Sequence, residues 1–427
     1  MKRLLSPLLL LTLATGCTTH LTANAQNGAS ASPRSTASTM PYGQRADAQQ
    51  WAHEVAARQG LDVGWVQAQL AQARFLPRVP RLMTPAPQTN TTARDWADYR
   101  RRFIDPIRIQ AGVRFWDQHT ETLARAEAEF GVPAAMVVGI IGVETIYGQH
   151  MGNLRVLDSL STLAFDFPSA HPRAAERQRY FQGELEQFLV MMHQASTPTT
   201  GPRGSYAGAM GLGQFMPSSW AQWAVDFDGD GQIDLFNSQA DAIGSVANYF
   251  KAHGWVTGQP VWYPALFNTD RLQLPTLLAP DIRPSFTPTE MAELGVVPES
   301  GMQHPGLLAL IELKNGEQPP SYIVGTQNFY TITRYNWSSY YATAVYDLGQ
   351  EVAAAREGGV PAIALPVMAP LAPAVAETPD ADVPTAAETP TQPDIEPAPL
   401  PPTPAAPEVP SEFPATGAPT PSAPPAR

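Results

Sequence analysis

Proline placement limits which part of this chain can form a packed domain. Twenty of its 44 prolines fall between Pro361 and Arg427, among Ala, Thr, Val and acidic residues. Such a segment cannot bury enough apolar surface to offset the entropy lost when its backbone is ordered, and frequent proline favours the extended polyproline II conformation. Residues 356–427 are therefore predicted to be a disordered Pro-rich C-terminal tail.

The charge of the chain follows the same division. The formal net charge is −12, and residues 361–427 of the tail hold eight carboxylates against one arginine, so seven of the negative charges lie there. The remaining charge of −5 says little about the folded part. The acidic balance of the whole chain argues against nonspecific binding of nucleic acid, which needs a basic face to displace counterions. No nucleic acid is expected as a partner.

The N-terminus predicts export. A basic start precedes an apolar run over residues 4–13, which is too short to span a bilayer and is typical of a secretory signal. The run leads into Leu13-Ala14-Thr15-Gly16-Cys17, where the only cysteine follows a small residue, as in a bacterial lipobox. Cys17 is therefore the predicted lipidation site, and ordinary cleavage after Ala25 is the alternative.

The lipobox interpretation sets the N-terminal boundaries and the location. Residues 1–17 are assigned to a signal peptide with lipobox, and residues 18–40, rich in small polar residues, to a flexible linker. The residue after Cys17 is Thr rather than Asp, which resembles outer-membrane sorting. The expected location is the periplasm, with a lipid anchor in the outer membrane.

Residues 41–355 hold nearly all of the aromatic residues and are predicted to be mainly helical. Between about 256 and 331, short apolar runs are separated by Asn315-Gly316 and Pro319-Pro320, which predicts a hairpin or small sheet. The fold class is therefore mainly α with a small β subdomain (α+β). Four segments combine good helix formers with apolar residues at helical spacing: 44–59, 94–103, 115–130 and 337–356.

One carboxylate lies in an otherwise apolar segment. Residues 136–145 are apolar on nearly every face of a helix, which predicts a buried helix, and Glu144 shares a face with Val137 and Ile140. Desolvation raises the pKa of a carboxyl, as a general acid near neutral pH requires. Pairing of Glu144 with a core arginine, or capping of a neighbouring helix, is the alternative that this segment alone leaves open.

Three glycines within six residues mark a second segment, 205–220. Glycine lets a backbone approach another backbone or a ligand closely, and Ser205 and Gln214 can hydrogen-bond sugar hydroxyl or acetamido groups. A phosphate-binding loop is disfavoured because no Lys-Ser/Thr pair ends the segment. The spacing around Ser205 also excludes the G-x-S-x-G elbow of a serine hydrolase.

Residues 226–234 match the start of an EF-hand loop, with carboxylates at positions 1, 3 and 5, glycine at position 6 and an apolar residue at position 8. Position 12 holds Asn237 instead of Glu, and Asp241 could close a longer loop. An acidic surface turn is the alternative. The sequence predicts a structural calcium ion, with these expected ligands: Asp226, Asp228, Asp230, Gln232 and Asp241.

Four strings of residues together resemble the membrane-bound lytic murein transglycosylase B family, glycoside hydrolase family 103. They are GIIGVETIYG at 139–148, SYAGAMGLGQFMPSS at 205–219, DAIGSVANYFKAHGW at 241–255 and TRYNWSSYY at 333–341. The resemblance runs from about residue 42 to about residue 350. It implies a lysozyme-like helical core with an N-terminal helical domain and a small inserted β domain. It also implies cleavage of the MurNAc-GlcNAc β-1,4 bond of peptidoglycan without water, which leaves a 1,6-anhydro-MurNAc end.

In that family one glutamate performs the reaction, and its position matches Glu144. One carboxyl suffices when groups of the substrate itself act as the nucleophile. Glu144 is expected to protonate the glycosidic oxygen and then, as a carboxylate, to take the proton of the C6 hydroxyl. No cofactor is expected for catalysis. The positions that match glycan contacts of the family are Tyr99, Ser205, Gln214, Phe215, Met216, Tyr249, Tyr335, Asn336 and Tyr341.

Several assignments stay open at this point. Arg173 and Arg177 fall near the arginine pair with which the family binds a peptide or lactyl carboxylate, and the sequence does not choose between them. A muramidase in which Glu144 activates water and a catalytically silent glycan-binding scaffold are the alternative functions. The expected partners are peptidoglycan strands, a membrane through the lipid anchor, and cell-wall synthesis or division proteins through the Pro-rich tail.

Overall fold

A computed structural model describes residues 40–84 and 95–358. The predicted signal peptide, Cys17, the linker up to residue 39 and the tail beyond residue 358 lie outside the described residues. Within them the fold is mainly helical with small antiparallel sheets, as predicted. The helices are α1 (Ala46–Gln59), α2 (Val63–Gln72), α3 (Arg78–Leu82), α4 (Trp96–Arg101), α5 (Pro106–Gln118), α6 (Thr120–Phe130), α7 (Ala134–Thr145), α8 (Val156–Phe165), α9 (Ala174–Gln194), α10 (Pro217–Trp223), α11 (Gln239–Ala252), α12 (Leu274–Leu278), α13 (Pro288–Glu293), α14 (Gln327–Thr333) and α15 (Ser339–Arg356). The strands are β1 (Leu154–Arg155), β2 (Arg203–Gly204), β3 (Trp262–Phe267), β4 (Val296–Pro298), β5 (Ala309–Asn315) and β6 (Gln318–Gly325).

The N-terminal helices α1 to α3 share a hydrophobic core with α8 and α9. Within it Trp51 packs edge-on against Phe165, with ring centroids 5.6 Å apart. The buried Arg45 side chain, just before α1, pairs with Asp166, just after α8, at 2.8 Å. Apolar packing and this ion pair therefore hold the N-terminal helices against the α8–α9 hairpin.

A second core is built around α7, which packs against α15, α5 and α11. A Cβ on Gly139 would collide with the carbonyl oxygen of Val345 in α15, and one on Gly349 would collide with the carbonyl oxygen of Ala135. The lack of side chains at these two positions lets the helix axes approach closely. Among the described residues no single helix is both long and apolar enough to cross a membrane; α6 and α7 together reach that length and composition but are bent by 115°.

The single helix predicted over residues 115–130 is wrong, because α5 and α6 are separate helices. His119 lies between them with φ −121° and ψ 26°, outside the helical region. The Thr120 hydroxyl donates a hydrogen bond to the carbonyl oxygen of Trp116 at 2.9 Å, and the His119 ring packs on Phe115. These local contacts stabilise a break that apolar periodicity alone does not indicate.

The β subdomain is a four-stranded antiparallel sheet with strand order β4-β3-β6-β5. The predicted hairpin is present as β5 and β6, and its turn contains Gly316 with φ 63°. One face packs with α12 and α13 around Leu277, Met291 and Leu310, in a core of its own. The other face joins the core around α7 through residues such as Ile311 and Ile323, so the sheet is anchored beside α7.

Candidate active site

Glu144 is the one residue of α7 that is not buried. Every other residue from Ala134 to Thr145 is buried, whereas the Glu144 side chain is partly exposed. Directly after α7, Ile146 and Tyr147 both adopt the left-handed backbone conformation, with φ 51° and 56°, which is uncommon for residues other than glycine. The chain therefore turns sharply away and leaves the carboxyl at the end of the helix.

The Glu144 carboxyl accepts a hydrogen bond at Oε1 from the hydroxyl of Tyr341, at 2.5 Å. Tyr341 lies in the first turn of α15, where its backbone N–H donates to the Ser338 hydroxyl. Burial raises the pKa of the Glu144 carboxyl from 4.5 to about 7, and the Tyr341 hydrogen bond opposes that rise. The carboxyl can therefore be a proton donor or an acceptor near neutral pH.

Two further tyrosines surround this carboxyl. Burial, followed by the charge of Glu144, raises the pKa of Tyr335 well above its usual value, and the same two causes act on Tyr341. Tyr99 contributes to the rise at Tyr341, which places it in the same environment. The phenols of Tyr335 and Tyr341 therefore stay protonated at neutral pH.

The glycine-rich segment is fixed next to Glu144 by two side-chain donors. Thr145, the neighbour of Glu144, donates through its hydroxyl to the carbonyl oxygen of Leu212 at 2.8 Å, and the Tyr335 hydroxyl donates to the carbonyl oxygen of Gly213 at 2.7 Å. Gln214 follows with φ 51° and donates through its side-chain amide to the carbonyl oxygen of Met151 at 3.2 Å. Residues 205–215 are thus fixed to the end of α7.

Ser205 shapes the start of this segment. Its hydroxyl oxygen accepts the backbone N–H of Ala209 at 3.0 Å, and its own N–H donates to the Ala209 carbonyl oxygen at 2.9 Å. Gly208 lies inside the turn with φ 88°, and a Cβ there would collide with the side chain of Leu160. The half-buried Ser205 side chain is therefore held within a rigid turn.

The predicted calcium loop brings three carboxylates together. One oxygen from each of Asp226, Asp228 and Asp230 lies within 4.8 Å of the others. Backbone N–H groups complete the loop: Gly231 donates to Asp226 Oδ2 at 2.8 Å, and Gln232 donates to Asp230 Oδ1 at 2.8 Å. These oxygen donors fit a hard cation such as calcium.

Asp241 lies outside that group of three. Its buried carboxylate accepts hydrogen bonds from the backbone N–H of Phe227 at 2.7 Å and from that of Asp234 at 2.8 Å. In this arrangement Asp241 ties the two ends of the loop to α11. Asn237, at the position where an EF-hand has Glu, donates its amide to Asp234 at 2.8 Å. A role of Asp241 as a ligand stays a prediction.

Comparison of the sequence with models of known protein families identifies the family of this chain. The model of the family described as Transglycosylase SLT domain matches residues 43–350. The chain belongs to this family. It is 44 % identical over 318 residues to the membrane-bound lytic murein transglycosylase B of Escherichia coli, a match that covers 73 % of this chain and 83 % of the relative. The family consists of enzymes, so the expectation of an enzyme is confirmed.

Two solved structures extend the comparison. The E. coli lytic transglycosylase Slt35 in complex with calcium is similar at 42 % identity and a TM-score of 0.64, covering 74 % of this chain and 95 % of that one. SltB3 from Pseudomonas aeruginosa in complex with NAG-NAM-pentapeptide is similar at 32 % identity and a TM-score of 0.58, covering 74 % and 82 %. The lysozyme-like helical fold expected from the resemblance is confirmed by the SLT-family neighbours.

Within this transglycosylase domain, the predicted glycan contacts fall into several places. Tyr249 and Phe215 are buried, and the rings of both contact the ring of Tyr335. The Tyr249 hydroxyl donates a hydrogen bond to the carbonyl oxygen of Arg334. Met216 is half-buried and packs against the N-terminal core, while Asn336 is half-buried with a side-chain oxygen that has no hydrogen-bond partner among the described residues. Only some of these side chains are therefore placed to contact a ligand directly.

The two candidate arginines occupy different environments. Arg173 pairs with Glu176 in the first turn of α9, where both side chains are substantially exposed. Arg177 is buried, with its guanidinium 5.2 Å from the ring centroid of Tyr180. Burial raises the pKa of Tyr206, in the glycine-rich segment, and the charge of Arg177 opposes that rise. Arg177 is thus the arginine that lies beside this segment of the transglycosylase domain.

Sequence reasoning missed a second buried acid in this domain, Glu184. It accepts hydrogen bonds from the backbone N–H of Ser218 at 2.9 Å and from the Ser218 hydroxyl at 2.6 Å, and burial raises its pKa. It therefore holds the first turn of α10, which follows the glycine-rich segment. Glu184 lies on the apolar face of α9, between Phe181 and Phe188. This position in the sequence is the feature that could have predicted a buried carboxylate.

Proposed function

We propose that this enzyme cleaves the MurNAc-GlcNAc β-1,4 bond of peptidoglycan without water and leaves a 1,6-anhydro-MurNAc end. The observation that carries the proposal is the partly exposed Glu144 carboxyl at the end of a buried helix, with a pKa of about 7. A group with this pKa is substantially protonated near neutral pH and becomes a usable base once it has lost its proton.

The reaction needs one proton to leave Glu144 and one to return. Protonated Glu144 donates to the glycosidic oxygen as the bond breaks, while the 2-acetamido group of MurNAc stabilises the cationic centre. The C6 hydroxyl then bonds to that centre, and Glu144, now a carboxylate, takes the hydroxyl proton. The Tyr341 hydroxyl, 2.5 Å from Glu144 Oε1, stabilises the carboxylate between the two steps.

Substrate contacts are assigned to the groups around this carboxyl. The amide of Gln214 and the hydroxyl of Ser205 are half-buried at the glycine-rich segment and can bond sugar hydroxyl or acetamido groups. Tyr99, Tyr335 and Asn336 are assigned to the same lining, Tyr335 through the effect of the Glu144 charge on its pKa. The buried Phe215 and Tyr249 support this lining through ring contacts with Tyr335.

Calcium is proposed as a structural ion with no step in the reaction. The fit of the three carboxylates and the calcium complex of the similar Slt35 support this assignment. Asp226, Asp228 and Asp230 would hold the ion, with Gln232 as a further ligand. The loop leads directly into α11, which carries Tyr249, so the ion would stabilise one wall of the site from a distance.

The enzyme is proposed to work in the periplasm, anchored through acylated Cys17 to the outer membrane. The name of the E. coli relative, a membrane-bound transglycosylase, supports a membrane-associated location. The acidic Pro-rich tail would then be free to recruit cell-wall synthesis or division proteins. Labelling with radioactive palmitate tests the anchor: the label is expected in the wild type and absent from Cys17→Ala, and label retained in the variant contradicts it.

Mass spectrometry of purified peptidoglycan digested with the protein tests the reaction. Anhydro-MurNAc ends from the wild type, and none from Glu144→Gln, are the expected result. Reducing MurNAc ends would instead identify a hydrolytic muramidase in which Glu144 activates water. Binding of glycan with no product from either protein would identify a catalytically silent scaffold.

A further inference from the structure

A cleft of about 490 Å³ lies beside the small sheet formed by β1 and β2. It is separate from Glu144 and from the calcium loop, and its polar lining is dominated by arginine. The lining residues that matter for its chemistry are Arg74, Asn153, Arg155, Asp158, Thr200 and Arg203.

The charge of this cleft is positive although the protein as a whole is acidic. Arg155 is neutralised by the buried Asp158, with 2.7 Å between Arg155 Nε and Asp158 Oδ2. The same carboxylate also accepts the backbone N–H of Arg74 at 2.9 Å. The guanidinium groups of Arg74 and Arg203 are exposed, and neither forms an ion pair with a described carboxylate. Two uncompensated positive charges therefore face one cleft.

The cleft lies close along the chain to the proposed substrate-binding segment 205–220. Arg155 pairs with Arg203 across the β1–β2 ladder, and Ser205 follows two residues after Arg203. On the other strand, Met151 holds the amide of Gln214 four residues before Arg155. An extended chain spans at most about 3.6 Å per residue. With the hydrogen bond from Gln214 to Met151 added, the cleft therefore lies within roughly 18 Å of Gln214. About five extended residues of a peptide would cover that distance.

We propose that this cleft binds a carboxylate of the peptide stem that peptidoglycan carries on MurNAc. Arg74 and Arg203 would pair with the carboxylate, and the Thr200 hydroxyl can donate a further hydrogen bond. The site differs from the one near Arg177, which lies beside Tyr206. The proposal rests on the proposed function, because it takes peptidoglycan as the substrate, and it adds a determinant for strands that retain their stems.

Binding to the inactive Glu144→Gln protein tests this subsite independently of catalysis. Isothermal calorimetry would compare soluble glycan strands with intact stems, strands stripped of stems, and strands whose stem carboxyls are amidated. The test variant adds Arg74→Gln and Arg203→Gln. The matched control adds Arg78→Gln and Arg81→Gln, two exposed arginines of α3 outside the cleft, which change the net charge equally.

The expected result is a loss of about tenfold in affinity for stem-bearing strands in the test variant alone. Stripped strands should bind both variants equally, and amidated stems should weaken binding to the parent protein by a similar factor. Equal losses for stem-bearing and stripped strands, or no loss at all, would overturn the proposal. If the wild type gave no anhydro product, the proposed function would fail while this binding result would still decide the role of the cleft.

Discussion

Tyr341 and Glu144 are separated by 197 positions in the chain, yet the Tyr341 hydroxyl donates to Glu144 Oε1 at 2.5 Å. The contact depends on the close approach of α7 and α15, which Gly139 and Gly349 permit. Burial favours the protonated form of Glu144, and this hydrogen bond favours the ionised form. The two effects together bring the pKa close to neutrality, which suits a group that must act first as an acid and then as a base.

Replacement of Tyr341 by Phe is therefore expected to shift the pH dependence of the reaction. Loss of a hydrogen bond to the ionised carboxylate raises the Glu144 pKa further, by about one unit. Because the free enzyme must hold the proton, the pH above which kcat/KM declines should move upward by a similar amount. Tyr346→Phe is the control, since Tyr346 lies on the same helix with its ring on Trp262. A decline at an unchanged or lower pH would contradict this account.

The raised pKa of Glu144 also predicts how stability depends on pH. Its pKa is about 7 in the folded protein and has the usual value of 4.5 in the unfolded chain. Between these two pH values the folded chain therefore retains a proton that the unfolded chain loses. The stability that this group contributes is fully present below about pH 4.5 and is lost as the pH rises through about 7. Glu144→Gln removes this dependence, so the variant should be stabilised relative to the wild type more at pH 8 than at pH 4. With allowance for partial exposure, this difference between the two pH values should be roughly 2 kcal/mol in the free energy of unfolding.

Urea denaturation at the two pH values checks this expectation. Glu121→Gln, an exposed substitution on α6, is the matched control and should leave the difference between pH 4 and pH 8 as in the wild type. If Glu144→Gln altered stability equally at both pH values, the ionisation of this carboxyl would not be the cause.

Local pattern isolates Glu144 as a single carboxylate in a helix that is apolar on nearly every face, but the prediction of its catalytic role depends on the resemblance to the transglycosylase family. The hairpin of β5 and β6 was equally accessible, because its turn residues lie within the hairpin itself. Glu184 also lies on an apolar helix face, but the sequence does not single it out. The many polar and charged residues of α9 are typical of a solvent-exposed helix.

Other features depend on contacts that the sequence does not encode locally. The Thr145 hydroxyl finds its acceptor on Leu212, 67 positions away, so the attachment of the glycine-rich segment to α7 follows only from the packed fold. Asp241 was assigned as a calcium ligand from its spacing, but in the structure its carboxylate is engaged with backbone N–H groups at both ends of the loop. Spacing predicts which carboxylates lie near a cation site, whereas the packed fold determines which of their oxygens accept hydrogen bonds from the backbone instead.

The calcium loop leads to a prediction about thermal stability. An ion that binds only the folded protein adds about 2.7 kcal/mol at 100 times its dissociation constant, which for a domain of this size corresponds to a rise of roughly 4 °C in Tm. Asp230→Asn should reduce this rise, because it removes a charge and a ligand oxygen but can keep the acceptor for the Gln232 N–H. Melting curves with calcium and with chelator measure the difference.

The control for that experiment is Asp270→Asn, an exposed substitution in the β subdomain. It should leave the response to calcium as in the wild type. A melting temperature that does not change when calcium is added back to the chelated wild type would count against a structural ion in this loop.

The packing of Tyr147 beneath the active-site helix gives a final prediction. Its buried hydroxyl has no hydrogen-bond partner among the described residues, so Tyr147→Phe should be neutral or slightly stabilising.

A Cβ on Gly112 of α5 would lie 2.6 Å from Val352 Cγ2 and closer still to the Tyr147 hydroxyl oxygen. Gly112→Ala should therefore destabilise the protein by about 1–2 kcal/mol, since overpacking outweighs the better helix propensity of alanine. In the double variant, loss of the hydroxyl relieves part of the collision, so urea denaturation should give a smaller loss than the sum of the two single effects. Additive effects would mean that Tyr147 does not fill the space that Gly112 leaves open.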